Sequence, residues 1–152
     1  MIKKIIKAIL VLIVMFTIFM FSSENDVEST SRSDGLIIRT TEFVLNRKLS
    51  DKEKELYTSK YVHYVRKAAH FTLYFLLGLF FISFLKEFNL NDKKLLVYTV
   101  IFVFLYACSD ECHQLFVSGR SGEILDVLID TTGGFVASIL YTCFRIRRRL
   151  HG

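Results

Sequence analysis

Between Tyr106 and Asp130 the chain sets Asp110, Glu111, His113, Gln114, Arg120, Asp126 and Asp130 into a region flanked on both sides by strongly apolar sequence. Asp110, His113 and Gln114 stand at i, i+3 and i+4, and Asp126 and Asp130 at i and i+4, so each set shares one helix face. Glu111 points about 100° away from the first set. His70 completes the candidate cluster from an earlier apolar block. These residue types support three chemistries. A carboxylate beside a histidine orients and charges it for general acid–base work. Two histidines with several carboxylates can bind a divalent cation. Arg66 and Arg120 can hold a phosphate or carboxylate through paired hydrogen bonds. The plain alternative is mutual neutralisation, with Asp126 or Asp130 balancing Arg66.

An ionisable side chain at mid-membrane costs about 2.5–3.5 kcal/mol on insertion scales, so several on one helical hairpin point to function. A mixed Asp/His set selects no metal, and no helix carries a paired-histidine zinc spacing. No metal ligands are assigned for that reason, and the cofactor stays open, a divalent cation being compatible but unsupported.

The elements that must position these residues are apolar helices. Over half of the 152 residues are hydrophobic, 23% are charged, and proline and tryptophan are absent. Apolar blocks joined by charged loops explain this mixture better than a soluble core does. With no proline, no helix carries a forced kink. Four spans are expected, near 5–23, 67–86, 94–115 and 124–144, in one domain covering 1–152. The fold class is therefore all-α, an integral membrane four-helix bundle. A helical loop over 24–66 is expected to lie at the extracytoplasmic interface.

Within that loop, Ile37, Ile38, Thr41, Val44 and Leu45 share a face that Ser33 or Asp34 can cap. Ser50-Asp51-Lys52-Glu53 is a capping box that starts a helix near Asp51, with Tyr57, Tyr61 and Tyr64 at head-group level. Arg66, His70 and Tyr74 recur every four residues along one face of the second span. Only about seven residues, including Gly119 and Gly122, join the third and fourth spans, which makes them antiparallel neighbours. Gly133-Gly134 then permits close helix approach. Cys108, Cys112 and Cys143 are too few for a disulfide framework and are expected to pack as small side chains.

Charge sets the topology. Lys3, Lys4 and Lys7, the loop holding Lys86, Lys93 and Lys94, and the terminal Arg145, Arg147, Arg148 and Arg149 all belong in the cytoplasm. The net charge of +5 is explained by this bias rather than by a nucleic-acid footprint. With both termini inside, Ser22, Ser23, Arg66, His70, Asp110, His113, Gln114, Asp126 and Asp130 all fall in the outer half of the membrane. At 1.5 Å per residue, His70, Asp110 and Asp130 lie roughly 5–10 Å below the outer surface.

Four segments, taken in order, carry a family resemblance. They are Phe21-Ser22-Ser23; Arg66-Lys67-Ala68-Ala69-His70-Phe71 with Tyr74 and Leu77-Gly78; Asp110-Glu111-Cys112-His113-Gln114-Leu115-Phe116 with Arg120; and Asp126-Val127-Leu128-Ile129-Asp130-Thr131-Thr132-Gly133. This set resembles the VanZ-like family over nearly the whole chain. Glu24 stands where that family often has Gln.

The resemblance implies a small multi-spanning protein of the bacterial cytoplasmic membrane. It also implies an association with low-level resistance to teicoplanin, a lipid-bearing glycopeptide, without rebuilding of the peptidoglycan terminus. Residues and resemblance together predict a pocket that acts on an anionic lipid, a lipid-linked precursor or a lipoglycopeptide. His113 is expected to be its general acid–base group, with Asp110 or Asp130 as partner and His70 beside them. Arg66 and Arg120 are expected to hold the head group, with Glu111, Gln114 and Asp126 in the binding wall. Binding or shielding of a precursor or drug without catalysis, and a purely structural membrane subunit, are the alternatives.

Overall fold

The computed structural model describes residues 1–151, with side chains through Arg148; the side chain of Arg149 lies outside the described residues. Five α-helices follow in order: α1 (Ile2–Ser22), α2 (Asp26–Leu45), α3 (Asp51–Leu85), α4 (Asp92–Gln114) and α5 (Ile124–His151). There is no strand among the described residues. α1, α3, α4 and α5 are long and apolar enough to cross a membrane. Their shared core is small: Val11, Val14 and Ile18 from α1, Tyr74 and Leu77 from α3, Val103 and Ala107 from α4, and Val127 from α5. Large apolar side chains such as Leu12, Phe16, Ile101, Leu105 and Leu128 face outward instead. That arrangement suits a lipid surround and would be costly in water.

α1, the turn after α3 and the last part of α5 meet at one end of the bundle. There Lys7 Nζ donates to Glu87 at 2.5 Å and to the Ser83 carbonyl at 3.0 Å, and Arg145 donates to Asp92 at 2.6 Å. α3 and α5 run in the same direction and form the most extensive helix contact. Glycine makes this possible. A Cβ on Gly78 would fall 2.7 Å from the Gly134 Cα, and one on Gly133 would fall 2.5 Å from the Phe71 carbonyl oxygen. Backbones packed this closely leave no room for side chains between them.

Two details of the polar loop differ from the sequence reading. The first loop helix starts at Asp26, not near Ser33, because the Asn25 side chain accepts from the Glu28 amide at 2.9 Å and caps it there. The helix expected from Asp51 and the second span are one helix of 35 residues. Glu53 closes its capping box on the Ser50 amide at 2.9 Å. No proline or glycine lies between Ser50 and Leu77, so backbone hydrogen bonding continues where side-chain polarity changes. At 1.5 Å per residue the helix is about 52 Å long, well beyond the roughly 30 Å of a hydrocarbon core. α2 packs beside its polar half, and the two form a hairpin. It turns at Asn46 in the left-handed region, with φ of 50°, over the buried side chain of Leu49.

Candidate functional site

The buried polar residues fall into two groups. Ser33, Thr99 and Ser138 donate to the carbonyl four residues earlier on their own helix, at 3.0, 2.8 and 2.7 Å, and need nothing else. Asp110, Glu111, Gln114, Asp130 and Ser22 instead gather at the end of the bundle opposite the Lys7–Glu87 contact and face other helices.

Asp110 is fixed from two sides. Its Oδ2 accepts from Ser22 Oγ of α1 at 2.8 Å and from the Tyr74 hydroxyl of α3 at 3.1 Å. Gln114, one turn along α4, reaches the same Ser22 oxygen at 3.5 Å. Asp130 of α5 is fully buried, yet neither of its carboxylate oxygens accepts a hydrogen bond. Its nearest ionisable neighbour is His70, with Nδ1 3.5 Å from Oδ2, and that nitrogen also lacks a hydrogen-bond partner. One ligand atom each from His70, Asp110 and Asp130 lies within 4.8 Å of the others. A buried carboxylate without hydrogen bonds costs several kcal/mol unless something compensates it, and the compensation this cluster itself supplies is one 3.5 Å contact with His70.

A cavity of about 130 Å³ opens over His70 and Asp130. This is far more than the roughly 10–15 Å³ one water needs. Its wall carries Arg66, Lys67 and Arg120 opposite Asp26, Glu123 and Asp126. Two of the three cations are engaged. Arg66 donates to Asp26 at 2.7 Å, which ties the start of α2 to α3, and Lys67 pairs with Asp126 and, at 3.5 Å, with Glu123. Arg120 differs, because it donates only to neutral oxygens. These are the Glu24 carbonyl at 3.2 Å, the Phe21 carbonyl at 3.3 Å and the Gln114 side chain at 3.5 Å. It has no carboxylate partner among the described residues. Burial, and then the neighbouring charge of Arg66, lower its pKa from the ordinary value, though a guanidinium stays charged throughout the physiological range.

Of the residues singled out in the sequence, His70, Asp130, Gln114, Arg66, Arg120 and Asp126 come together around this cavity, and Asp110 lies behind it against His70 and Asp130. His113 does not. It stacks on Phe19 with ring centroids 4.8 Å apart, and its Nε2 lies 3.1 Å from Ser23 Oγ, against α1 and away from the cavity wall. Asp110 and His113 sit on the same broad face, but α1 divides that face. Glu111 turns toward the start of α5, where its carboxylate accepts from the Glu123 amide at 2.9 Å and so caps that helix.

Sequence reasoning did not assign Ser22, Tyr74, Lys67, Asp26 or Glu123 to the site. Tyr74 had a usable signal in its four-residue spacing from His70, and Ser22 in its position at the polar end of α1. Asp26 had none, because its approach to Arg66 depends on how the loop folds back.

No curated protein and no solved structure matches this chain. A family model described as VanZ/LLP1 matches residues 8–145, a range that holds all of α3 and α4, most of α1 and α5, and each residue of the His70, Asp110 and Asp130 cluster. The chain belongs to the VanZ/LLP1 family.

Proposed function

We propose that this protein acts in the bacterial cytoplasmic membrane, at the outer leaflet, on an amphiphile with an anionic head group. The candidates are a lipid, a lipid-linked glycan precursor or a lipoglycopeptide such as teicoplanin. The observation that carries this reading is Arg120. It is a half-buried cation with only neutral acceptors, and it lines a cavity that also opens on His70 and the unpartnered Asp130. An anion entering that cavity would supply the missing partner, and charge-assisted pairing with a guanidinium is among the stronger polar contacts.

In this reading Arg120 binds the head group and His70 serves as the general acid–base group. Asp130 orients His70, and Asp110 stays in place through Tyr74 and Ser22. Orientation follows from the basic residues at the opposite end, Lys3, Lys4, Lys7, Lys86, Arg145, Arg147 and Arg148, which favour the cytoplasm and leave the cavity outside. Low-level glycopeptide resistance is the phenotype this activity would produce.

The test uses a sensitive Gram-positive host expressing the chain or its His70→Gln variant at equal membrane level. Teicoplanin susceptibility and the lipid and lipid-linked glycan profiles are measured together. Protection and an altered profile with the parent chain but not the variant support the reading. Identical profiles and susceptibility in the parent, the variant and an empty-vector strain overturn it.

A further inference from the structure

We propose that His70, Asp110 and Asp130 form a binding site for one divalent cation, of the Mn²⁺ or Zn²⁺ class. The three residues come from three helices, α3, α4 and α5, and offer one nitrogen and two carboxylate oxygens within 4.8 Å of one another. A cation held at about 2.1 Å from each ligand keeps them no more than about 4.2 Å apart. The set therefore closes on an ion through a shift of about half an ångström, within the range of side-chain adjustment.

A second, independent observation points to a ligand. Asp130 is fully buried, and both of its oxygens and His70 Nδ1 are sealed from solvent without hydrogen-bond partners. Two buried carboxylates facing one imidazole leave at least one negative charge uncompensated within the cluster, which a divalent ion would balance. The surrounding groups are also those a metal site requires. The hydroxyls of Ser22 and Tyr74 both donate to Asp110 Oδ2, at 2.8 and 3.1 Å, and hold that carboxylate in a fixed orientation. Arg66 and Arg120 line the same cavity as His70 and Asp130, but neither pairs with a carboxylate of the cluster: Arg66 is held by Asp26, and Arg120 donates to neutral oxygens. One imidazole with two carboxylates suits Mn²⁺ or Zn²⁺ better than a thiolate-seeking metal. The cavity reaches two of the three ligands, His70 and Asp130, so an ion enters from that side once their side chains shift to open the sealed atoms.

The site is tested on the untagged full chain, purified metal-free in detergent and titrated with Mn²⁺, with Zn²⁺ as competitor. Free Mn²⁺ is followed by electron paramagnetic resonance, and spin-echo modulation reports a directly bound imidazole nitrogen. The expected result is one saturable Mn²⁺ per chain, displaced by Zn²⁺, with modulation from one nitrogen. Tyr74→Phe, which alters only a supporting hydrogen bond, should weaken binding about 10–100-fold. Asp130→Asn should weaken it further, and Glu55→Gln, on an exposed face of α3, should not change it.

If Asp130→Asn does not accumulate in membranes, His70→Gln gives the same answer by losing the nitrogen modulation. Absence of saturable binding to the parent chain overturns the proposal, and would leave a proton shared between Asp110 and Asp130 as the compensating charge. Binding unaffected by Asp130→Asn, or nitrogen modulation that survives His70→Gln, also overturns it.

Discussion

Gly78 of α3 meets Gly134 of α5 so closely that a Cβ on Gly78 would lie 2.7 Å from the Gly134 Cα. This contact positions the site. The adjoining contact of Gly133 with the Phe71 carbonyl sets the level, because Phe71 follows His70 by one residue and Gly133 follows Asp130 by three, so two helices running in the same direction bring the histidine and the carboxylate within about 3 Å of the same depth. Gly78→Val should cost about 1–3 kcal/mol through overpacking, because the obstacle is backbone and cannot swing away. Gly35 has nothing within 4 Å of its would-be Cβ, and Gly35→Ala should stabilise α2 by about 0.5–1 kcal/mol. Thermal melts of the detergent-solubilised protein check both signs. A Gly78→Val protein that melts with the parent would refute the packing role.

His70 and His113 should behave differently. General acid–base groups contribute about 10²–10⁴-fold to a rate, so His70→Gln should remove nearly all of the head-group chemistry. His113→Gln alters a contact with Phe19 and Ser23 and should leave most of the activity, with a small loss of stability. Turnover of the modified lipid or drug, measured in reconstituted vesicles at equal protein, separates the two. The reverse ranking would return the acid–base role to His113.

Arg120 should govern binding rather than chemistry. Hydrogen bonds to charged groups are worth about 1.5–3 kcal/mol, so Arg120→Ala should weaken head-group affinity about 10–100-fold. Arg120→Lys should restore the charge but not the planar set of donors, and should recover only part of the loss. Binding of the amphiphile to nanodisc-embedded protein measures this directly. A cell in which Arg120→Ala abolishes protection while His70→Gln retains it would shift the reading to shielding without catalysis.

The proposed membrane orientation, with both termini in the cytoplasm, predicts a labelling pattern. In a background with Cys108, Cys112 and Cys143 replaced by serine, Ser118→Cys should react with an impermeant thiol reagent applied to intact cells. Lys86→Cys at the opposite end should react only after permeabilisation. Ser118 and Lys86 are both exposed on the protein surface, so access depends on the side of the membrane alone. The opposite pattern would invert the topology and place the cavity in the cytoplasmic leaflet.

Much of this architecture is local and could be read from residue order. Hydrophobic runs long enough to span a bilayer, the capping box at Ser50 and Glu53, and the confinement of polar residues to one end of each span depend on near neighbours and helix geometry. So does the gathering of His70, Asp110 and Asp130 at one depth, because depth along a helix is simply residue count. Rotation about the helix axis is not local. Asp110 and His113 differ by three positions, and only the packing of α1 and α3 decides that Asp110 receives the Ser22 and Tyr74 hydroxyls while His113 rests on Phe19. The unpartnered state of Asp130 and the free charge of Arg120 are tertiary in the same way. Whether a buried ion is paired depends on which side chains from other helices, or from the folded-back start of α2, arrive within about 3–4 Å of it, and residue spacing along one helix carries no information about that distance.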